Sequence, residues 1–221
     1  MLYTQLGRTG VTISRICLGT MNFGSRTAEN EAFSMIDLAI ETGLNFIDTA
    51  NIYGEAKEGA GRSEEIIGKV LSHNNRRSRI ILATKVGLPM DANDSNSVGL
   101  SRRHIIAACE ASLRRLCTDY LDLYQLHRPS PYIPIDETLR ALDDLIHTGK
   151  VRYIGTSQFP SWQIMEALWN SDKLRLNRLV SEQPFYNMIV ITHAPSSKRG
   201  FVGNINDLCD EKNSSSSPKT N

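Results

Sequence analysis

The 221-residue sequence has no apolar run near the roughly 20 residues that a membrane-spanning helix needs, and its opening, MLYTQLGRTG, lacks the apolar core of a secretory leader. An excess of either charge is also missing. Against 25 Lys and Arg stand 24 Asp and Glu, so the formal net charge is +1, which excludes recognition of nucleic acid or lipid through a global field. A cytoplasmic chain is expected, with neither nucleic acid nor membrane among its partners. Cysteine is sparse: Cys17, Cys109, Cys117 and Cys209 lie far apart and form no CxxC pair, which argues against a disulfide framework or a cysteine zinc site. Cys109 and Cys117, eight residues apart on one predicted helix face, read as small core residues.

Two nucleotide signatures are incomplete. Gly59-Ala60-Gly61 begins a GxGxxG turn, but Glu64 takes the third glycine position; Gly68-Lys69 has Ser63 where a P-loop needs its first glycine and Val70 where it needs Ser or Thr. Metal chemistry has little footing, because His73, His104 and His147 fall in helical or loop contexts and no metal site is expected.

What is present is an alternation of short apolar runs with longer segments of helical period, the pattern of repeated βα units on a parallel sheet. RICLG from Arg15, NFID from Asn45, IILATK from Ile80, LDLYQLH from Leu121, VRYIGTS from Val151 and LVSEQ from Leu179 read as strands. Phe33, Ile36 and Ile40 predict a first helix that stops at Gly43; Ile106, Cys109, Leu113 and Leu116 predict another behind Ser101 as N-cap; Ile135, Leu139, Leu142 and Ile146 predict one that ends at Gly149. Arg102, Arg103, Arg114 and Arg115 read as the solvated outer face of the helix behind Ser101.

Without a glycine-rich phosphate turn, six βα units in series predict a (β/α)8 barrel of the TIM type, incomplete, over a doubly wound sheet. The barrel is expected over residues 1–187, with Met188 to Thr192 as a candidate further strand. Residues 188–221, rich in Ser, Asn and Lys, are expected to be a divergent, disordered tail.

In such a barrel, functional residues gather where the strands end. The second strand ends at Asp48, with Tyr53 just beyond; the third ends at Lys85 and the fourth at His127. Taken singly, these are an ion pair, a hydrogen-bonded histidine and a loop aromatic. Together they suit carbonyl reduction. When hydride reaches a carbonyl carbon, charge grows on oxygen and must be met by a proton donor. A free phenol, with a pKa of about 10, is a weak acid for that task. A lysine ammonium beside it favours the phenolate, and a carboxylate keeps the lysine charged. Tyr53, Lys85 and Asp48 fit donor, tuner and anchor, and His127 would orient the carbonyl oxygen. Phe23, Tyr53, Arg128 and the loop from Leu88 to Leu100 are expected to line the substrate pocket.

LGTMNFG, NFIDTANIYG, GRSEEIIG, ATKVG, LDLYQLHRP, VRYIGTS and SEQPFYN resemble, in order and spacing, the aldo-keto reductase superfamily, including its branch related to potassium-channel β subunits. The resemblance spans about residues 1–187. It implies a catalytic tetrad of Asp48, Tyr53, Lys85 and His127, and NADP(H) lying over the barrel mouth without a Rossmann domain. Gly19, Thr20, Met21, Ser157 and Gln183 match the family's cofactor contacts, as does Gln158, which stands where many members place Asn. The implied function is NADPH-dependent reduction of an aldehyde or ketone. Two alternatives are a binding module of the channel β-subunit kind, with a protein partner, and an inactive truncated isoform or gene model. Family members continue through two more strands, which supply an aromatic for the nicotinamide and a basic cluster for the 2′-phosphate. Neither is visible here, and the tail from Met188 reads as a replaced end.

Overall fold

The structure is a computed structural model that describes residues 1–54, 60–73, 76–91 and 93–184. The tail expected at 188–221, the candidate strand within it and Cys209 lie outside the described residues. An antiparallel hairpin comes first, β1 (Tyr3–Gln5) paired with β2 (Thr12–Ser14). Among the described residues six parallel strands follow: β3 (Leu18–Gly19), β4 (Phe46–Asp48), β5 (Ile81–Val86), β6 (Leu121–Leu126), β7 (Val151–Ser157) and β8 (Ser181–Gln183). Among the described residues five α-helices separate them, α1 (Glu29–Glu41), α2 (Arg62–Leu71), α3 (Arg102–Arg115), α4 (Ile135–His147) and α5 (Ser161–Leu174), with a short 3-10 turn at Arg76–Arg79 before β5.

Each strand pairs with the next one in sequence. A doubly wound sheet would reverse its order at a switch point; this one does not. The sheet is also curled. Gln183 on β8 donates from Nε2 to Asp48 Oδ2 on β4 at 3.4 Å, whereas four strand spacings in a flat sheet would separate them by roughly 19 Å. The fold is an incomplete (β/α)8 barrel, as expected.

Both faces of the sheet are buried, which is why its strands read as near-continuous apolar runs. β5 makes the division plain. Leu82 and Val86 pack outward with Ile36, Ile66, Ile105 and Leu142, while Ile81 and Ala83 point inward with Phe46, Leu123 and Tyr153. The hairpin closes the N-terminal end of this lumen, where Leu6 and Ile13 join the inner cluster and Val11 and Val180 pack against it. The helix stops act as expected: Ser101 Oγ accepts from the His104 N–H, and Gly43 and Gly149 take φ of 85° and 75°, the left-handed turn that favours glycine.

Several details depart from expectation. The buried stripe of α4 is Thr138, Leu139, Ala141, Leu142 and Leu145; Ile135 and Ile146 sit at its margins. Cys109 is a core residue, but Cys117 is exposed and lies past the end of α3 with φ of 50°, so eight-residue spacing does not carry one face through the helix stop. Arg115 is not part of a solvated face. It donates from Nε to Glu64 Oε2 at 2.8 Å, and Glu64 is fully buried and also takes the Thr84 hydroxyl at 2.5 Å. A buried carboxylate needs such a partner, and this one comes from the neighbouring helix.

Candidate functional site

The C-terminal ends of the strands bring the expected residues to one rim. Asp48 closes β4, Lys85 is the penultimate residue of β5, and His127 follows β6 directly, its N–H donating to the Val86 carbonyl at 2.8 Å. Tyr53 lies in the turn after β4, its own N–H donating to the Ala50 carbonyl. Alternation puts Asp48 and Lys85 on the inward face.

Lys85 is the hub. Its Nζ donates to Asp48 Oδ2 at 2.5 Å, to the Thr49 carbonyl at 2.9 Å and to the Tyr53 hydroxyl at 3.5 Å. The lysine side chain is only 2% exposed and that of Asp48 11%. A charge so placed persists only when paired and hydrogen-bonded, and these three acceptors supply that. The rings of Tyr53 and His127 meet edge to face, with centroids 5.9 Å apart. The phenol therefore stands between an ammonium and an imidazole.

His127 is held neutral. Burial, reinforced by the Lys85 ammonium and the Arg128 guanidinium, pushes its pKa down to about 3, and among the described residues its Nδ1 is buried without a hydrogen-bond partner. The sign of the linkage follows. The unfolded chain, titrating near about 6.5, takes up this proton first as pH falls. Stability from neutral His127 is therefore complete above that value and is lost as pH falls toward about 3. The melting temperature of the chain is expected to fall more steeply on acidification from about pH 6.5 to about pH 4 than that of His127→Gln. Parallel curves in a circular-dichroism melt series would contradict this origin.

Each residue expected at the cofactor has a definite place. Gly19 ends β3, opposite Asp48 in register, and no atom lies within 4 Å of the position a Cβ would take. The space above it is open. Met21 is exposed, while Thr20 is fully buried. The Thr20 hydroxyl donates to the Asp48 carbonyl at 3.1 Å and also meets Ser63 Oγ, which in turn lies 3.1 Å from Thr49 Oγ1. This trio of hydroxyls ties the ends of β3 and β4 to the start of α2. Ser157 closes β7, and its hydroxyl donates to the Gln183 carbonyl at 3.2 Å. The Gln158 N–H donates to the same carbonyl, and Gln158 has φ of 59°.

Of the residues expected in the pocket, Phe23 belongs elsewhere: it is 1% exposed and packs in the outer core between helices and sheet. A cavity of about 320 Å³ does open beside the rim, between the loop after β6 and the starts of α4 and α5. Its walls include Leu100, Tyr132, Ile133, Phe159, Trp162 and Gln163, and none of the four rim residues. Sequence reasoning did not single out Gln125, whose Nε2 donates to Asp48 Oδ1 at 2.9 Å. Its signal was available: a lone amide inside the apolar run of β6, two residues before His127 and so on the same face.

A singly wound parallel barrel with acid, amine, phenol and imidazole at its C-terminal rim defines a class of barrel proteins that place their chemistry at the strand ends. Within that class, this chain belongs to the Aldo/keto reductase family, whose family model matches residues 15–213. It is similar to the uncharacterized oxidoreductase YrpG of Bacillus subtilis (strain 168), 46% identical over 193 residues that cover 86% of this chain and 59% of the relative. It is 39% identical over 192 residues to a probable voltage-gated potassium channel subunit beta of Arabidopsis thaliana, covering 85% of this chain and 56% of that protein. The versiconal hemiacetal acetate reductase of Aspergillus parasiticus is 34% identical over 212 residues, 86% of this chain and 60% of the relative. The chain thus spans less than two thirds of the length of these relatives. Oxidoreductases recur among them.

Proposed function

We propose that this chain carries the catalytic part of an NADPH-dependent reductase of aldehydes or ketones that works in the cytoplasm. The observation that carries the reading is Lys85 Nζ, held between Asp48 Oδ2 at 2.5 Å and the Tyr53 hydroxyl at 3.5 Å. The rim suits a nicotinamide ring. Open space over Gly19 admits a flat group, and the hydroxyl of Ser157 with the amides of Gln158 and Gln183 offers donors and acceptors for a carboxamide. Gly19, Thr20 and Met21 would bound the ring on the β3 side, with Thr20 acting as a support from beneath.

The cofactor, when bound, supplies the hydride that reaches the carbonyl carbon. The chain's own residues manage the oxygen. Neutral His127 orients it by a hydrogen bond without adding a charge that would compete with Lys85. Tyr53 transfers its hydroxyl proton to the oxygen as negative charge develops there, giving the alcohol and leaving a phenolate. The Lys85 ammonium stabilises that phenolate, and Asp48 keeps the ammonium in place. Solvent then restores the phenol proton.

The test is a thermal melt with and without saturating NADPH. Ligand at about 100 times its dissociation constant adds roughly 2.7 kcal/mol to the folded state, a shift of about 5–10 °C in a domain of this size. A cooperative melt that NADPH leaves unmoved would count against the nucleotide site. It would favour the second reading, a docking module, which similarity to the Arabidopsis probable channel subunit supports. Under that reading, capture of a specific protein partner survives Tyr53→Phe, which removes the phenol proton and leaves the bonds of Lys85 to Asp48 and the Thr49 carbonyl in place.

A further inference from the structure

Asp48 receives more than Lys85. Its Oδ2 takes the lysine ammonium and, at 3.4 Å, Gln183 Nε2; its Oδ1 takes Gln125 Nε2 at 2.9 Å. Gln125 is 3% exposed and lies directly opposite Lys85 in the β5–β6 register, between Tyr124 and Leu126, both fully buried. An amide buried in such a strand is costly unless hydrogen-bonded, and the bond it makes runs to the carboxylate that anchors the hub. The carboxylate torsion of an aspartate is soft, so Oδ1 needs a donor of its own if Oδ2 is to stay aimed at Lys85.

We infer that Gln125 is a positioning residue: by fixing Oδ1 of Asp48 it sets the plane of the carboxylate, and through Lys85 it places the Tyr53 hydroxyl. This rests on the reductase reading for its consequence in turnover, but the contact itself can be tested without cofactor. The charged and titratable groups around the pair are Lys85 from β5, Tyr53 from the turn after β4, His127 and Arg128 after β6, and Cys17 before β3, whose thiol is pushed up by burial and by the Asp48 carboxylate and drawn down by the Lys85 ammonium.

Gln125→Glu puts a second carboxylate against Asp48. The two cannot both be ionised at that distance, so the folded state holds a proton that the unfolded chain gives up near about 4.3. Stability is then lost as pH rises. The melting temperature of Gln125→Glu is expected to fall several degrees further below wild type between about pH 5 and about pH 8. Burial alone would also produce a slope, so the decisive comparison is the same substitution in an Asp48→Asn background, where most of the slope should vanish. An equal slope in both backgrounds overturns the inference. If Asp48→Asn gives no cooperative melt, Gln125→Asn decides, because its amide is withdrawn by one methylene. It should melt like Gln125→Met, and wild-type behaviour would overturn the proposal.

In turnover, Gln125→Met is expected to lower kcat about tenfold or more while KM for the carbonyl changes little, since a misplaced donor acts on the transition state. A reversed split, with KM raised and kcat intact, contradicts the positioning role. If the wild-type chain reduces no carbonyl, the reductase reading fails, and the pH slopes still decide the contact between Gln125 and Asp48.

Discussion

Tyr53→Phe is expected to lower the rate of NADPH-dependent reduction of an aromatic aldehyde by about 10²- to 10⁴-fold, the range associated with losing a positioned general acid. The substitution removes one oxygen from a half-buried ring and leaves untouched the bonds from Lys85 Nζ to Asp48 and the Thr49 carbonyl. The fold and the NADPH-induced shift of the melt should both survive, which separates a chemical defect from a structural one. The measurement is the loss of NADPH absorbance at saturating substrate for the two forms in parallel. Equal rates would remove Tyr53 from the proton-transfer step and with it the mechanism proposed above.

Lys85→Met is expected to act on the fold as well. It strips the cation from Asp48 in a site where the lysine side chain is 2% exposed, and removing one partner of a buried pair costs about 3–5 kcal/mol. In a chain of this size that corresponds to a fall on the order of 10 °C in melting temperature. Asp48→Asn together with Lys85→Met should recover much of the loss, because no uncompensated charge remains. Gln125, which donates to Oδ1, would still have the amide oxygen at position 48 as its acceptor. A Lys85→Met chain that melts within about 2 °C of wild type would mean that solvent reaches Asp48 more freely than its burial implies.

The βα rhythm was legible because β5, β6 and β7 run six or seven residues and helices of clear period separate the strands. Asp48, Lys85 and His127 were legible because polar groups at the ends of apolar runs stand out. Contacts made across the fold were not. Arg115 resembles any surface arginine until Glu64, from another helix, is found against it. Cys117 obeys the helical spacing but falls beyond the stop of α3. The strands of the hairpin are three residues each, and no helical segment lies between them to mark where they begin and end. On α5, Trp162, Met165 and Trp169 face outward, so hydrophobicity there does not mark the buried side. Gln125 was visible as an oddity in its strand, but its role needed the position of Asp48 across the lumen.

The hairpin at the closed end of the lumen bears on the kinetics of folding. Leu6 and Ile13 pack with Ala83 and Leu123, and Gly7 lies so near the Val180 carbonyl that a Cβ there would come within 2.0 Å of its oxygen. Gly7 and Val180 stand at opposite ends of the described chain, so the loop they close is among the longest available, and its entropy must be given up before the contact returns anything. The six parallel strands have to be in register before the hairpin has a surface to seal. The hairpin is therefore expected on the native side of the folding barrier, so that Leu6→Ala should speed unfolding more than it slows refolding in stopped-flow measurements.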